Sequence, residues 1–429
     1  MKFGVFTLNM ISKIRILINN EEKKRFLKNF SSLATLQGLN YILPLITLPY
    51  LVRTLGADKF GLLAFATAIT GYFIVLTDYG FNFTATRDIT SYRDQPYKIN
   101  EIFSSVIIIK ICFLVVSFFL LTFLIIFFEN FGQDPLLFYL TFGIVVGQAL
   151  FPVWFFQGME QMSYITIINI ISKLIFTFSI FLFVKSSEDY LYVPLLTSLG
   201  SIVAGVYSIY LVRKKFKIKF FIPKKEIILS YLQGGTHLFF TSALGSLLVS
   251  SGTVVLSFFS NNATVGYYSA LERLFRAVVG LFAPITQALY PISCNKVNQE
   301  YSSSKYIRKL SVYIGGIALT IGTLVAIFSN QIVDIVYGGL FDNYSYILAI
   351  MMVWLFFGVM NNMIGIQYLT AKRKDKFYTS SFVVAGLTTV VLNVILVPHF
   401  LINGILFSMI FGEVLLTFIM LGLIFRFKL

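Results

Sequence analysis

The chain has 429 residues, 57% of them hydrophobic and only 12% charged, with a formal net charge of +15. An ordinary soluble domain is about 25% charged. This composition and a mean hydropathy of +0.82 exclude a soluble enzyme and indicate a polytopic membrane protein.

The first segment, 1–28, begins "MKFGVFTLNMISKIRILINN". Lys13 and Arg15 interrupt its apolar stretch and no small-residue cleavage site follows. It is expected to be a basic helix lying on the cytoplasmic surface rather than a signal peptide. About 20 apolar residues cross a bilayer as a helix. Twelve such spans are predicted, at 30–52, 61–84, 102–128, 135–157, 163–185, 190–212, 229–259, 264–293, 309–332, 345–369, 377–398 and 400–425.

Span one carries Gln37, Asn40, Tyr41 and Pro44 on one side, and Pro44 and Pro49 are expected to bend it. Span two ends in "LTDYGFNFTATRDI", with Asp78 inside and Arg87 at the boundary. Lys110 in span three has only Ser117 as a polar companion on its face. It either snorkels toward the interface or serves a buried site. In span five, Thr166, Asn169, Lys173 and Thr177 share a face, which places an ammonium near mid-membrane.

The run "RKKFKIKFFIPKKE", 213–226, falls between spans six and seven. It divides the chain into a first half, 29–212, and a second, 227–429. "KFGLLAFA" opens span two and "TVGYYSAL" opens span eight, with Gly61 and Gly266 offset by 205 positions. Together with the matching topology, this predicts two parallel six-helix repeats, a layout found in secondary transporters. Lys and Arg set the orientation. With both termini cytoplasmic, only Arg53, Lys59 and Lys185 face outward, and Lys110, Lys173, Arg273 and Arg276 lie within spans. The positive charge is therefore a topology signal, not a nucleic-acid footprint.

Span seven is rich in Gly, Ser and Thr, which suits close helix packing, and His237 in it reads as a packing residue. Span eight, "GYYSALERLFRAVVGLFAP", places Glu272, Arg273 and Arg276 at its centre. Each charge at mid-bilayer costs about 2.5–3.5 kcal/mol. All three fall on one small-and-polar arc, so that arc faces protein or a wet cavity. Glu272 and Arg276 are spaced for an acid-first ion pair, leaving Arg273 without a local partner. Either the charges only fix helix packing, or the surplus cation serves an anion. The remaining embedded acids are Asp334 and Glu413. Glu413 stands alone in span twelve and is either a coupling carboxylate or a protonated structural one. Cys112 and Cys294 form no disulfide or metal pattern, and no phosphate loop, zinc helix or nucleophile elbow is present.

In "LNYILPLITLPYLVRTLGADKFGLLAFATAI", "DYGFNFTATRDI" and "VGYYSALERL" the sequence resembles Wzx-type O-antigen flippases. These belong to the polysaccharide-exporter branch of the superfamily that also holds MATE multidrug exporters and peptidoglycan-precursor flippases. The resemblance implies an all-α, twelve-helix, two-lobed MATE-like fold around a central cavity, with alternating access and no enzymatic activity. The implied cargo is an undecaprenyl-diphosphate-linked oligosaccharide crossing a bacterial inner membrane. The implied partners are membrane lipids, a polysaccharide polymerase and a chain-length regulator, and no cofactor beyond a coupling H+ or Na+ is expected. The family's span-eight arginine carries over onto Arg273 or Arg276, and its span-two Asp/Arg motif onto Asp78 and Arg87. Lys173, Lys110, Gln37, Asn40, Tyr41 and Asn169 complete the expected cationic cavity, with Glu272, Asp78, Arg87 and Glu413 as coupling or ion-pair candidates. A cation-coupled drug antiporter of the same fold is the main alternative. It would favour an acidic cavity, whereas the mid-membrane balance here is positive. A membrane-embedded polymerase would need a sizeable outer loop, and a scaffold would leave the buried cations unexplained.

Overall fold

A computed structural model describes residues 20–297 and 303–427. The basic surface helix expected before residue 20 lies outside them. Among the described residues the chain is helical with no strand. In order the helices are α1 (Asn20–Asp78), α2 (Phe81–Ser91), α3 (Pro96–Phe127), α4 (Glu129–Gly132), α5 (Pro135–Leu150), α6 (Val153–Gly158), α7 (Met162–Phe183) and α8 (Tyr192–Lys215). Beyond the basic run follow α9 (Lys225–Phe259), α10 (Asn262–Gly280), α11 (Ala283–Val297), α12 (Ser303–Ile327), α13 (Ser329–Tyr337), α14 (Ser345–Asn361), α15 (Asp375–Phe400) and α16 (Ile402–Phe427). Past Asn361, α14 continues in wider turns to Thr370.

Ten described segments are long and apolar enough to cross a membrane. One of them, Thr35–Ser91, covers spans one and two together, and the charged span eight is outside the ten. The set is consistent with twelve crossings in a multi-pass membrane protein. Spans one and two form the two limbs of α1, which is interrupted at Gly56 (φ 72°, ψ 170°). An L side chain is strained there, so glycine makes the break. Pro44 and Pro49 stay inside the first limb without leaving helical geometry. Span eight is divided. Asn261 caps α10 by accepting from Thr264 N at 2.9 Å, and Pro284 sits in the first turn of α11, where its missing N–H is tolerated.

The first lobe packs α5 against α8 and α7 against α8. The second packs α15 against α16 and α12 against α14. The lobes meet chiefly through α1, whose second limb crosses α10 and also contacts α9. At the crossing, a Cβ added to Gly61 would stand 1.8 Å from the Asn262 carbonyl oxygen, and one added to Gly266 would stand 1.9 Å from that of Ala57. The 205-residue offset maps Gly61 onto Gly266 and Ala57 onto Asn262, so the two contacts are each other's counterparts and the repeat predicted from sequence meets itself here. Near this crossing, Arg53 donates to the carbonyls of Ile335 and Val336 at 2.6 and 3.1 Å, satisfying the open end of α13. On the face carrying 213–226 the lobes touch again. The Tyr79 ring lies between Phe113 and Phe239, each centroid 4.8 Å away, and its hydroxyl bonds Thr236.

Candidate functional site

A cavity of about 410 Å³ opens within the first lobe. Its walls come from both limbs of α1 and from α5, α7 and α8. Lys173, on α7, donates to Asn40 Oδ1 at 2.5 Å across the gap to α1. Asn169 and Thr177, one turn either side of Lys173, also line the cavity. Thr166 does not, and instead bonds the Ser32 carbonyl.

One described lining residue comes from the second lobe, and it is Arg273. Its guanidinium lies 5.0 Å from the centroid of the Phe60 ring, a stacking that leaves the fork of N–H donors free at its edges. No described carboxylate lies within ion-pair distance of Arg273, and none lines the cavity. The result is a largely apolar chamber studded with Asn, Thr and Ser side chains, holding two cations and no counter-charge among the described residues. Gln37 is exposed and lies outside the described lining, and the Tyr41 side chain falls outside the described residues.

Arg276 does not join Arg273. Its Nη2 lies 2.5 Å from Glu272 Oε1, the ion pair expected from their spacing. Both line a second, smaller cavity of about 170 Å³ in the other lobe. Glu413 lines it too and is not alone as the sequence suggested. Asn361 Nδ2 donates to its carboxylate at 2.5 Å, and Thr417 holds Asn361 in turn at 2.7 Å. Asn393 is buried against Ser251. The three charges of span eight are thus shared between two chambers, one cationic and one carboxylate-bearing.

Asp78 and Arg87 also part company. Arg87 points outward to its neighbour Asp88, while Asp78 accepts from Lys110 at 2.8 Å and from Asn82 at 2.7 Å. Lys110 is 1% exposed, so it does not snorkel. It fastens the inner end of span two to span three, and neither residue lines a described cavity. The pair is asymmetric. Asp78 keeps Asn82 if Lys110 is lost, whereas Lys110 would keep only the Gln148 carbonyl at 3.4 Å. Removing one partner of a buried pair costs about 3–5 kcal/mol. Asp78→Asn is therefore expected to lower the melting temperature of the purified protein more than Lys110→Met. The double variant should recover part of the loss, which thermal melts of the three proteins would check.

Sequence reasoning passed over Phe60, which carries no polar signal. It also passed over Asn361 and Asn393, whose amides in the apolar runs "GVMNNMIG" and "VVLNVIL" were a readable sign of a buried polar site.

Residues 26–296, more than half the chain, match the family described as "Polysaccharide biosynthesis protein". An Escherichia coli (strain K12) protein named "Putative O-antigen transporter" is 30% identical over 403 residues, which is 94% of this chain and 97% of that one. A Shigella dysenteriae protein of the same name is 28% identical over 92% of this chain and 98% of its own. Among solved structures, the lipid II flippase MurJ in an inward closed conformation superposes with a TM-score of 0.72 at 15% identity, covering 92% of this chain and 87% of MurJ. An inward-facing MATE multidrug transporter superposes with a TM-score of 0.60 at 14% identity, covering 90% and 98%. The two superpositions show a fold shared with those transporters, and by sequence the chain belongs to the polysaccharide biosynthesis protein family.

Proposed function

We propose that the protein is a flippase. It carries undecaprenyl-diphosphate-linked oligosaccharide repeat units from the cytoplasmic to the periplasmic leaflet of a bacterial inner membrane, with both termini cytoplasmic. The observation that supports this most is the first-lobe chamber, where Lys173 and Arg273 stand without a carboxylate among the described lining. A diphosphate takes bidentate donors from arginine and a point charge from lysine. The chamber's Asn, Thr and Ser side chains suit sugar hydroxyls. Two relatives by sequence carry the name "Putative O-antigen transporter", and a protein of similar fold is a lipid II flippase. Glu413, in the second chamber, is assigned to coupling with H+ or Na+. A polymerase and a chain-length regulator act on the product.

The test uses vesicles reconstituted with the full chain and a fluorescent undecaprenyl-diphosphate oligosaccharide, with reduction of the label from outside reporting its leaflet. The protein should accelerate exchange between leaflets; equal rates with and without it in correctly oriented vesicles overturn the proposal. The carboxylates of the second chamber favour a cation-coupled drug antiporter as the second reading. That reading expects drug sensitivity with intact surface polysaccharide when the gene is deleted.

A further inference from the structure

The link between the lobes is not a free tether. The non-helical stretch 216–224 lies between the ends of two membrane-crossing helices, α8 and α9, so it stays at the bilayer surface. It turns at Lys217 (φ 54°) and is then pinned along α3. The backbone N–H of Lys219 donates to Asn100 Oδ1 at 3.0 Å, and that of Phe221 to Ser104 Oγ at 3.2 Å. Alternate amides aimed at one helix are the pattern of an extended chain. Phe221 stacks on Tyr97, and Ile218 is buried.

Pinning leaves two kinds of side chain turned outward. Phe220 and Ile222, two residues apart, are 51% and 81% exposed. Around them Arg213, Lys217, Lys219, Lys224 and Lys225 are exposed and make no ion pair among the described residues. An orientation signal needs the charges alone. It does not need a chain held in place, nor apolar residues held at its tip. Basic groups with apolar anchors between them, fixed at a membrane edge, match a headgroup layer of phosphates above acyl chains.

We propose that this strap is an anionic-phospholipid docking surface. The lysines meet headgroup phosphates of the leaflet on this face, and Phe220 and Ile222 enter the headgroup–acyl boundary. The proposal is independent of what the protein transports.

The test places the full-length Ile222→Trp variant in nanodiscs of phosphatidylcholine alone or mixed with phosphatidylglycerol, with acyl-brominated lipid as quencher. The signal of Trp154 and Trp354 is subtracted with the parent protein. Quenching should be stronger with phosphatidylglycerol. Adding Lys217→Gln, Lys219→Gln, Lys224→Gln and Lys225→Gln should weaken that preference by about tenfold or more. If that combination does not insert, the Lys217→Gln/Lys219→Gln pair should give a smaller loss in the same direction. Soluble glycerol phosphate should leave the quenching unchanged, separating a lipid surface from a phosphate site. Equal quenching in both lipids, or a preference untouched by the glutamines, overturns the proposal. An indole that stays in water in both also overturns it and leaves the strap to an acidic protein partner.

Discussion

Arg273→Ala is expected to slow leaflet exchange of the diphosphate-linked oligosaccharide by about 10- to 100-fold while leaving the melting temperature within a degree or so of the parent. The first figure follows from losing a charge-assisted hydrogen bond to phosphate, about 1.5–3 kcal/mol. The second follows from geometry. Arg273 holds no carboxylate among the described residues, so its removal orphans no acid, and it gives up only its stacking on Phe60. Arg273→Lys should fall between, since the charge remains but the planar fork does not. Arg276→Ala should behave in the opposite way. It strands Glu272, whose side chain is 11% exposed, and should lower stability, by less than a fully buried pair would because Arg276 itself is 47% exposed. Adding Glu272→Gln should restore much of that loss. Exchange rates and melts of the same preparations check both halves. Arg273→Ala transporting at the parent's rate would remove the first-lobe chamber from the pathway.

That contrast also shows where sequence reasoning stops. A helical wheel steps 100° per residue, so Arg273 and Arg276 differ by only about 60° and fall on one polar arc. At a lobe boundary, 60° and a long side chain suffice to reach different bundles. Glu272 lies about 40° from Arg276 on the wheel, and that closeness was readable as an ion pair. The chamber each residue faces depends on which helices stand beyond, and a single helix does not encode that. Lys110 teaches the same lesson. Its partner Asp78 belongs to another span, and on its own helix Lys110 had only Ser117 for company. Periodicity and hydropathy, by contrast, located the spans, because lipid demands an apolar helix of fixed length wherever the chain crosses. They missed the division at Pro284 inside span eight, since that residue does not change hydropathy enough to end a span; at 53–60, where a connection between spans one and two was expected, the chain stays helical on both sides of Gly56.

The Gly61 and Gly266 match was the thinnest of the sequence signals, and the structure gives it a physical cause. Two helices related by a pseudo-twofold axis cross where each needs the other's backbone within side-chain distance, so the same residue type recurs at both positions. Gly61→Ala and Gly266→Ala should each destabilise the protein by about 1–3 kcal/mol. The new methyl meets a carbonyl oxygen on the facing helix, not a side chain that can swing away. Gly38→Ala and Gly71→Ala, where an added Cβ meets nothing within 4 Å, should be neutral or slightly stabilising through helix propensity alone. The two destabilising substitutions share one interface. Once the first has spread the helices, the second has less contact left to lose, and the double variant should cost less than the sum of the singles. Thermal or denaturant melts of the five variants decide the matter. Strictly additive losses would mean that the two contacts yield independently, and that the crossing does not act as one rigid contact.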